Sequence, residues 1–302
     1  MPGYQKLIRR LDRIHLRKKQ ASVYQILENL FINIKNDDIL HHSQSMAFSF
    51  TLAVFPAIIF LFSLLPYIPI PQFQENIMEL LGELSMLEQV QHTVSDIISR
   101  PRGDLLSFSM IMSLFLATNG MVELSQTFNK IYRTVENRSY FKTRLVATLL
   151  TTGMGVVIFI AVILLIVGEF ILDFLIDNDI LTQDIMLFGI VSLRFTVLLL
   201  LFLFAISFIY FFAPALHNRW KFISIGSVFA SIVSLLISYI FSIYINNFGT
   251  YNKLYGSIGA MIALMIWIYF ISVILLIGFE VNASIDQAIN QLQEEESEEK
   301  EE

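Results

Sequence analysis

The sequence predicts an all-helical, polytopic membrane protein of six transmembrane helices with both termini cytoplasmic, and three observations predict it. Of 302 residues, 55% are hydrophobic and only 15% charged, where a soluble domain carries roughly 25% charged residues. Six apolar runs approach the 20 or so residues that a helix needs to cross a hydrocarbon core about 30 Å thick. Lys and Arg then fall almost entirely on one side of those runs, which sets the orientation. A mean hydropathy of +0.65 excludes disordered, collagenous and secreted-scaffold classes. The absence of cysteine excludes disulfides, thiol nucleophiles and Cys-ligated zinc.

Residues 1–40 are basic and place Leu7, Ile8, Leu11 and Ile14, then Val23, Ile26, Leu27, Leu30, Phe31 and Ile34, at helical spacing. They read as cytoplasmic amphipathic helices at the inner leaflet, or as a purely topogenic segment. The first twenty residues are too charged for a signal peptide. The membrane domain is expected over 41–285, with spans near 46–65, 105–122, 145–168, 185–212, 222–245 and 254–279. Between the first two spans, residues 72–100 alternate apolar residues with acids, as an amphipathic cap on the outer face would. Residues 286–302 hold 8 acids and 1 base and are expected to form an acidic, disordered tail. Without them the chain has 19 basic and 18 acidic residues, a balance of +1.

With this topology 16 of the 20 Lys and Arg residues face the N-terminal side. The orientation implied puts both termini in the cytoplasm. Ionisable groups inside spans are the default functional candidates, because hydrocarbon makes them costly. Arg194 lies near the outer boundary at the level of Glu169 and Asp173, so an outer ion pair among these three is plausible; the plain reading is a tie between helix ends. Asn119, Glu123, Thr127 and Lys130 share one helical face near the inner boundary, where Glu280 also falls. Ser227, Ser231, Ser234, Ser238 and Ser242 form a stripe within about a 120° arc of the fifth span, with Tyr255, Gly256 and Ser257 on the sixth. Such a stripe is either a close helix contact or a hydrophilic groove for a head group. Pro56 removes one backbone hydrogen bond from the first span, giving a hinge or a kink that fits the bundle.

The first span reads Ala47-Phe48-Ser49-Phe50-Thr51-Leu52-Ala53-Val54-Phe55-Pro56. Ala117-Thr118-Asn119-Gly120 is followed by Phe128-Asn129-Lys130-Ile131-Tyr132. The end carries Leu254-Tyr255-Gly256-Ser257-Ile258-Gly259, Trp267-Ile268-Tyr269 and Gly278-Phe279-Glu280-Val281-Asn282. In order and spacing, over about 40–285, these motifs resemble the YihY or virulence-factor BrkB family of bacterial inner-membrane proteins, long labelled ribonuclease BN-like. The resemblance implies six helices and an integral membrane role.

The ribonuclease label finds little chemistry to rest on. His15, His41, His42, His92 and His217 include no i, i+4 pair beside an acid, and no phosphate-binding glycine loop occurs. No catalytic, metal or cofactor residues are assigned, and nucleic acid is not an expected partner. The reading favoured is a transporter or handler of a lipid or other amphiphile, whose head group follows a polar seam of Asn119, Glu123, the serines and Glu280 while its chains stay in the bilayer. The alternative is a non-transporting scaffold that recruits protein partners through its termini. Membrane lipids are expected partners under either reading.

Overall fold

A computed structural model describes residues 22–64, 103–134, 138–177, 183–216, 220–246 and 249–301. They form seven α-helices: α1 (Val23–Asn36), α2 (Ile39–Leu64), α3 (Gly103–Ile131), α4 (Tyr140–Asp177), α5 (Gln183–Phe212), α6 (Ile225–Asn246) and α7 (Gly249–Glu301). Four contain stretches long and apolar enough to cross a membrane: Ser107–Ile131, Phe195–Phe212, Ile225–Ile245 and Met261–Glu294. The expected outer cap over 72–100 lies outside the described residues, as does the N-terminal part of the basic segment.

The six long helices close into a ring. Each packs on the next from α2 to α7, and α7 returns to pack on α2, with α1 laid along α7. Large apolar side chains face outward, including Phe108, Ile111, Phe141, Leu200, Ile232 and Ile240. Such a surface would be an aggregation hazard in water and is the ordinary solution in lipid.

Local chemistry sets the helix ends. Ser22 caps α1 with a reciprocal box: its Oγ accepts from the Gln25 amide at 3.2 Å, and Gln25 Oε1 accepts from the Ser22 amide at 3.1 Å. Asp38 then takes a left-handed φ of 46°, which turns the chain into α2. The last turn of α3 ends in two bonds, Thr134 N–H to Asn129 O at 2.9 Å and Arg133 N–H to Lys130 O at 3.0 Å, around Arg133 at φ 53°. This is a Schellman closure with arginine where glycine is usual. Pro56 lies inside α2. At the end of α5, Ala213 O accepts from Ser125 Oγ at 2.6 Å and from Arg138 at 3.0 Å, so a carbonyl without an intrahelical partner is satisfied.

The largest departure from the sequence reading is α7, which runs unbroken to Glu301 where a disordered tail was expected from 286. Two causes act. Ile285, Ala288, Ile289 and Leu292 form an apolar stripe that packs on Ile26 of α1, and the glutamates that follow propagate a helix readily.

The closest helix contact joins α6 to α7 at two glycines. A Cβ on Gly226 would run into the carbonyl of Gly278, and one on Gly278 would lie 2.5 Å from Tyr210 Oη and 2.6 Å from Ala230 Cβ. Backbone carbonyls cannot swing away as side chains can, so Gly278→Ala is expected to cost about 3 kcal/mol, the upper range for overpacking. The readout is thermal unfolding of the purified protein in detergent. Gly155, which has no atom within 4 Å of its would-be Cβ, should accept alanine with an unchanged melting temperature.

Candidate functional site

The polar residues gather at one end of the ring, around an aromatic cluster that α7 organises. Phe279 stacks on Phe128 of α3 at 4.0 Å between centroids and 7° between planes. Tyr210 of α5 meets both rings edge-on at 5.6 and 5.7 Å, and its hydroxyl donates to Leu275 O at 2.6 Å. Trp220 leans on Phe279 at 5.0 Å. Its Nε1–H donates to Asp286 Oδ2 at 2.6 Å, an oxygen that also accepts from Tyr132 Oη at 2.9 Å. Burial first, then the bond to Asp286, push the Tyr132 hydroxyl up to about 12, so it stays a donor.

Asn282, on the neighbouring face of α7, caps α6 from outside. Its Oδ1 accepts from the Gly226 amide at 2.8 Å and its Nδ2 donates to Ser224 Oγ at 2.8 Å. Asn282 lies well inside α7.

Glu280 is fully buried, at 0% exposure, and neither carboxylate oxygen has a hydrogen-bond partner among the described residues. Asn33, Ser284, Asp37 and Arg133 surround it. Just above lies a cavity of about 350 Å³ between α1, the turn after α3 and α7, lined by Asn33, Asp37, Tyr132, Arg133, Gln287 and Glu294 among others. Asp37 has its carboxyl raised above the ordinary range, by burial first and against the pull of Arg133 and Lys130.

Asn119 serves a second polar region, between α3 and α4, while Glu123 of the same helix acts on His42 of α2. Arg144 donates to Asn119 Oδ1 at 2.6 Å and sits 4.8 Å from the centre of the Phe115 ring. Beside it is a smaller, mostly apolar-walled cavity of about 190 Å³ lined by Val122, Gln126, Arg138, Tyr140, Thr143 and Arg144. Lys130 Nζ lies 3.1 Å from His42 Nε2. Burial first, then Lys130, hold that imidazole below its ordinary value while Glu123 opposes them. The neutral ring therefore accepts from the ammonium.

The serine stripe divides. Ser227, Ser231 and Ser234 are buried; Ser227 Oγ donates to Ser224 O at 2.9 Å and Ser231 Oγ to Ser227 O at 2.6 Å, while Ser234 Oγ has no partner among the described residues. Ser238 Oγ accepts from Trp267 Nε1 at 3.1 Å, and Ser242 is exposed. Beside the contact of Gly226 with Gly278, the inner half of this stripe is a packed surface. The side chains of Tyr255, Gly256, Ser257, Arg194, Glu169 and Asp173 lie outside the described residues. Sequence reasoning missed Arg144, Asp286, Asn33 and Arg133, although the run of bases from Arg138 to Arg144 was a visible signal for the first.

The family model for virulence factor BrkB matches residues 30–302. The chain belongs to the virulence factor BrkB family. The chain is 33% identical over 249 residues to a protein described as ribonuclease-like, YfkH, of Bacillus subtilis (strain 168), covering 81% of this chain and 90% of that one. It is 23% identical over 278 residues to a UPF0761 membrane protein of Psychromonas ingrahamii, covering 90% and 91%. A UPF0761 membrane protein of Tolumonas auensis is 27% identical over 186 residues, 60% of this chain and 58% of the relative. No solved structure matches the chain.

Asp286 is the acceptor for two half-buried donors in this family member, so Asp286→Ala leaves an indole N–H and a phenol without it. A hydrogen bond to a charged group contributes roughly 1.5–3 kcal/mol. The expected outcome is a loss of about 3 kcal/mol together with a shifted Trp220 emission, read against a Trp267→Phe background.

Proposed function

We propose that the chain is a six-span protein of the bacterial plasma membrane, both termini cytoplasmic, that binds and moves a lipid or other amphiphile with an anionic head group. The observation that carries this reading is the pocket between α3 and α4. There Arg144 is oriented by Asn119 and backed by Phe115, beside walls that are mostly apolar. Guanidinium forks suit phosphate and carboxylate oxygens, and apolar walls suit the start of an acyl chain. Tyr140 and Phe141 stand exposed at the head of α4 with Lys142, the aromatic and basic pattern of a membrane–water interface. That end also carries Lys130, Arg133, Arg138 and Arg144, which supports a cytoplasmic face by the positive-inside rule.

The polar seam in this reading runs from Arg144 and Asn119 past Glu123, and the packed part of the serine stripe holds α6 against α7. The six-span count adds α2 and α4, of 26 and 38 residues, to the four stretches named above. The ribonuclease-like description belongs to the Bacillus relative, and no specific geometry in this chain argues for extending it.

The test is reconstitution of the full chain in vesicles holding a fluorescent anionic phospholipid, with movement between leaflets read by quencher accessibility. Arg144→Ala is expected to slow movement about tenfold or more, the effect of losing one charge-assisted bond, and truncation after Gln293 should leave the rate unchanged. If the truncation abolished function in cells while Arg144→Ala did nothing, the scaffold reading would replace this one.

A further inference from the structure

We propose that the pocket between α3 and α4 selects a membrane lipid whose head group is a bare phosphate monoester, held between Arg138 and Arg144. This rests on the amphiphile reading above and narrows its substrate class.

Charge is the first discriminator. The lining holds two guanidinium groups, Arg138 and Arg144, and, among the described residues, no carboxylate. The bonds that position them end on neutral oxygens, since Arg144 donates to Asn119 Oδ1 at 2.6 Å and Arg138 to Ala213 O at 3.0 Å. Neither bond cancels a charge. Glu123, one residue past Val122 of the lining, acts on His42 of α2. A phosphodiester brings one negative charge, whereas a phosphomonoester brings about −1.5 to −2 at pH 7 and three strong acceptor oxygens. Guanidinium forks bond such oxygens in pairs, and a mismatch of charge costs more in a partly desolvated site than in water. Two cations therefore favour the dianion.

Size and surroundings point the same way. At about 190 Å³ the cavity falls below the roughly 300–1,000 Å³ of pockets that enclose drug-sized ligands, so it suits a phosphate better than a head group extended by a sugar. It lies at the first turn of α4, where Tyr140, Thr143 and Arg144 line it and the helix dipole adds to the field that favours an anion. On the adjoining face of α4, Phe141, Leu145 and Leu149 follow at four-residue spacing, all exposed. That stripe offers an acyl chain a path along the outside of the bundle, which a free phosphate ion would not use.

The experiment uses the full chain in phosphatidylcholine nanodiscs doped with either phosphatidic acid, a monoester, or phosphatidylglycerol, a diester, with thermal unfolding followed by tryptophan emission. At pH 8 phosphatidic acid is expected to raise the melting temperature saturably, with half-saturation at about tenfold lower mole fraction than phosphatidylglycerol, the effect of one more charge-assisted pair. The preference should shrink at pH 5, where the monoester holds its second proton; the lining has no histidine or carboxylate among the described residues to titrate in that range. Arg138→Gln should bring the two lipids level. Should that variant fail to fold, phosphorus NMR of phosphatidic acid bound to the wild type decides, with its second ionisation expected about one pH unit or more below that of the lipid in empty nanodiscs, as guanidinium neighbours dictate. Equal responses to the two lipids at pH 8 would overturn this proposal and leave the amphiphile reading standing, and no response to either would overturn both. A preference that survives in Arg138→Gln, an unshifted phosphorus titration, or inorganic phosphate acting as strongly as phosphatidic acid would also overturn it.

Discussion

The stacking of Phe279 on Phe128 is the contact on which the polar end of the molecule depends, because it fixes the rotation of α7 about its own axis. At 100° per residue, one fixed side chain decides where all its neighbours point. Gly278 and Asn282 then face α6, one giving up its side chain to admit the helix and the other capping its start. Phe279 and Asp286 face the aromatic rings of Phe128, Tyr132 and Trp220. Glu280, Ser284 and Gln287 face α1. A slip of one residue in α7 would put a carboxylate against the rings in one direction, or a phenyl group against Asn33 in the other. The penalty is large in each direction, so the register is defined without any covalent link.

This arrangement explains why the five-residue run from Gly278 to Asn282 carries so much information. Consecutive positions on a helix are neighbours in sequence and strangers in space, so each of these residues meets a different part of the bundle. The apolar runs were legible in the sequence, since they follow from composition, whereas Glu280 could be placed only near the inner boundary and the serine stripe was open between a helix contact and a groove. The cap that Asn282 supplies to α6 was not, because its partners at Ser224 and Gly226 lie more than fifty residues away. The same holds for Asp286, whose acidity read as part of a solvated tail while its two donors come from the end of α3 and from Trp220. The stripe of Ile285, Ala288, Ile289 and Leu292 was visible, but the count of acids beyond it outweighed the pattern. The left-handed turn at Arg133 had no signal in the residue itself.

Two polar regions of opposite character share α3 as a wall. Toward α4, Val122 and Gln126 face a pocket that holds two guanidinium groups. Around the helix end, Ile131 and Tyr132 face a cavity lined by Asp37 and Glu294. Charges of opposite sign placed within a few turns of each other in a low dielectric would attract strongly if nothing lay between them. On α3, Phe128 follows Gln126 of the first lining and precedes Ile131 of the second, stacked on Phe279 and edge-on to Tyr210, whose hydroxyl is already given to Leu275. The aromatic cluster therefore sets the register of α7, and with it which polar groups lie toward which cavity. Each set is left facing its own cavity, which is the condition for either to meet a charged group from outside the chain.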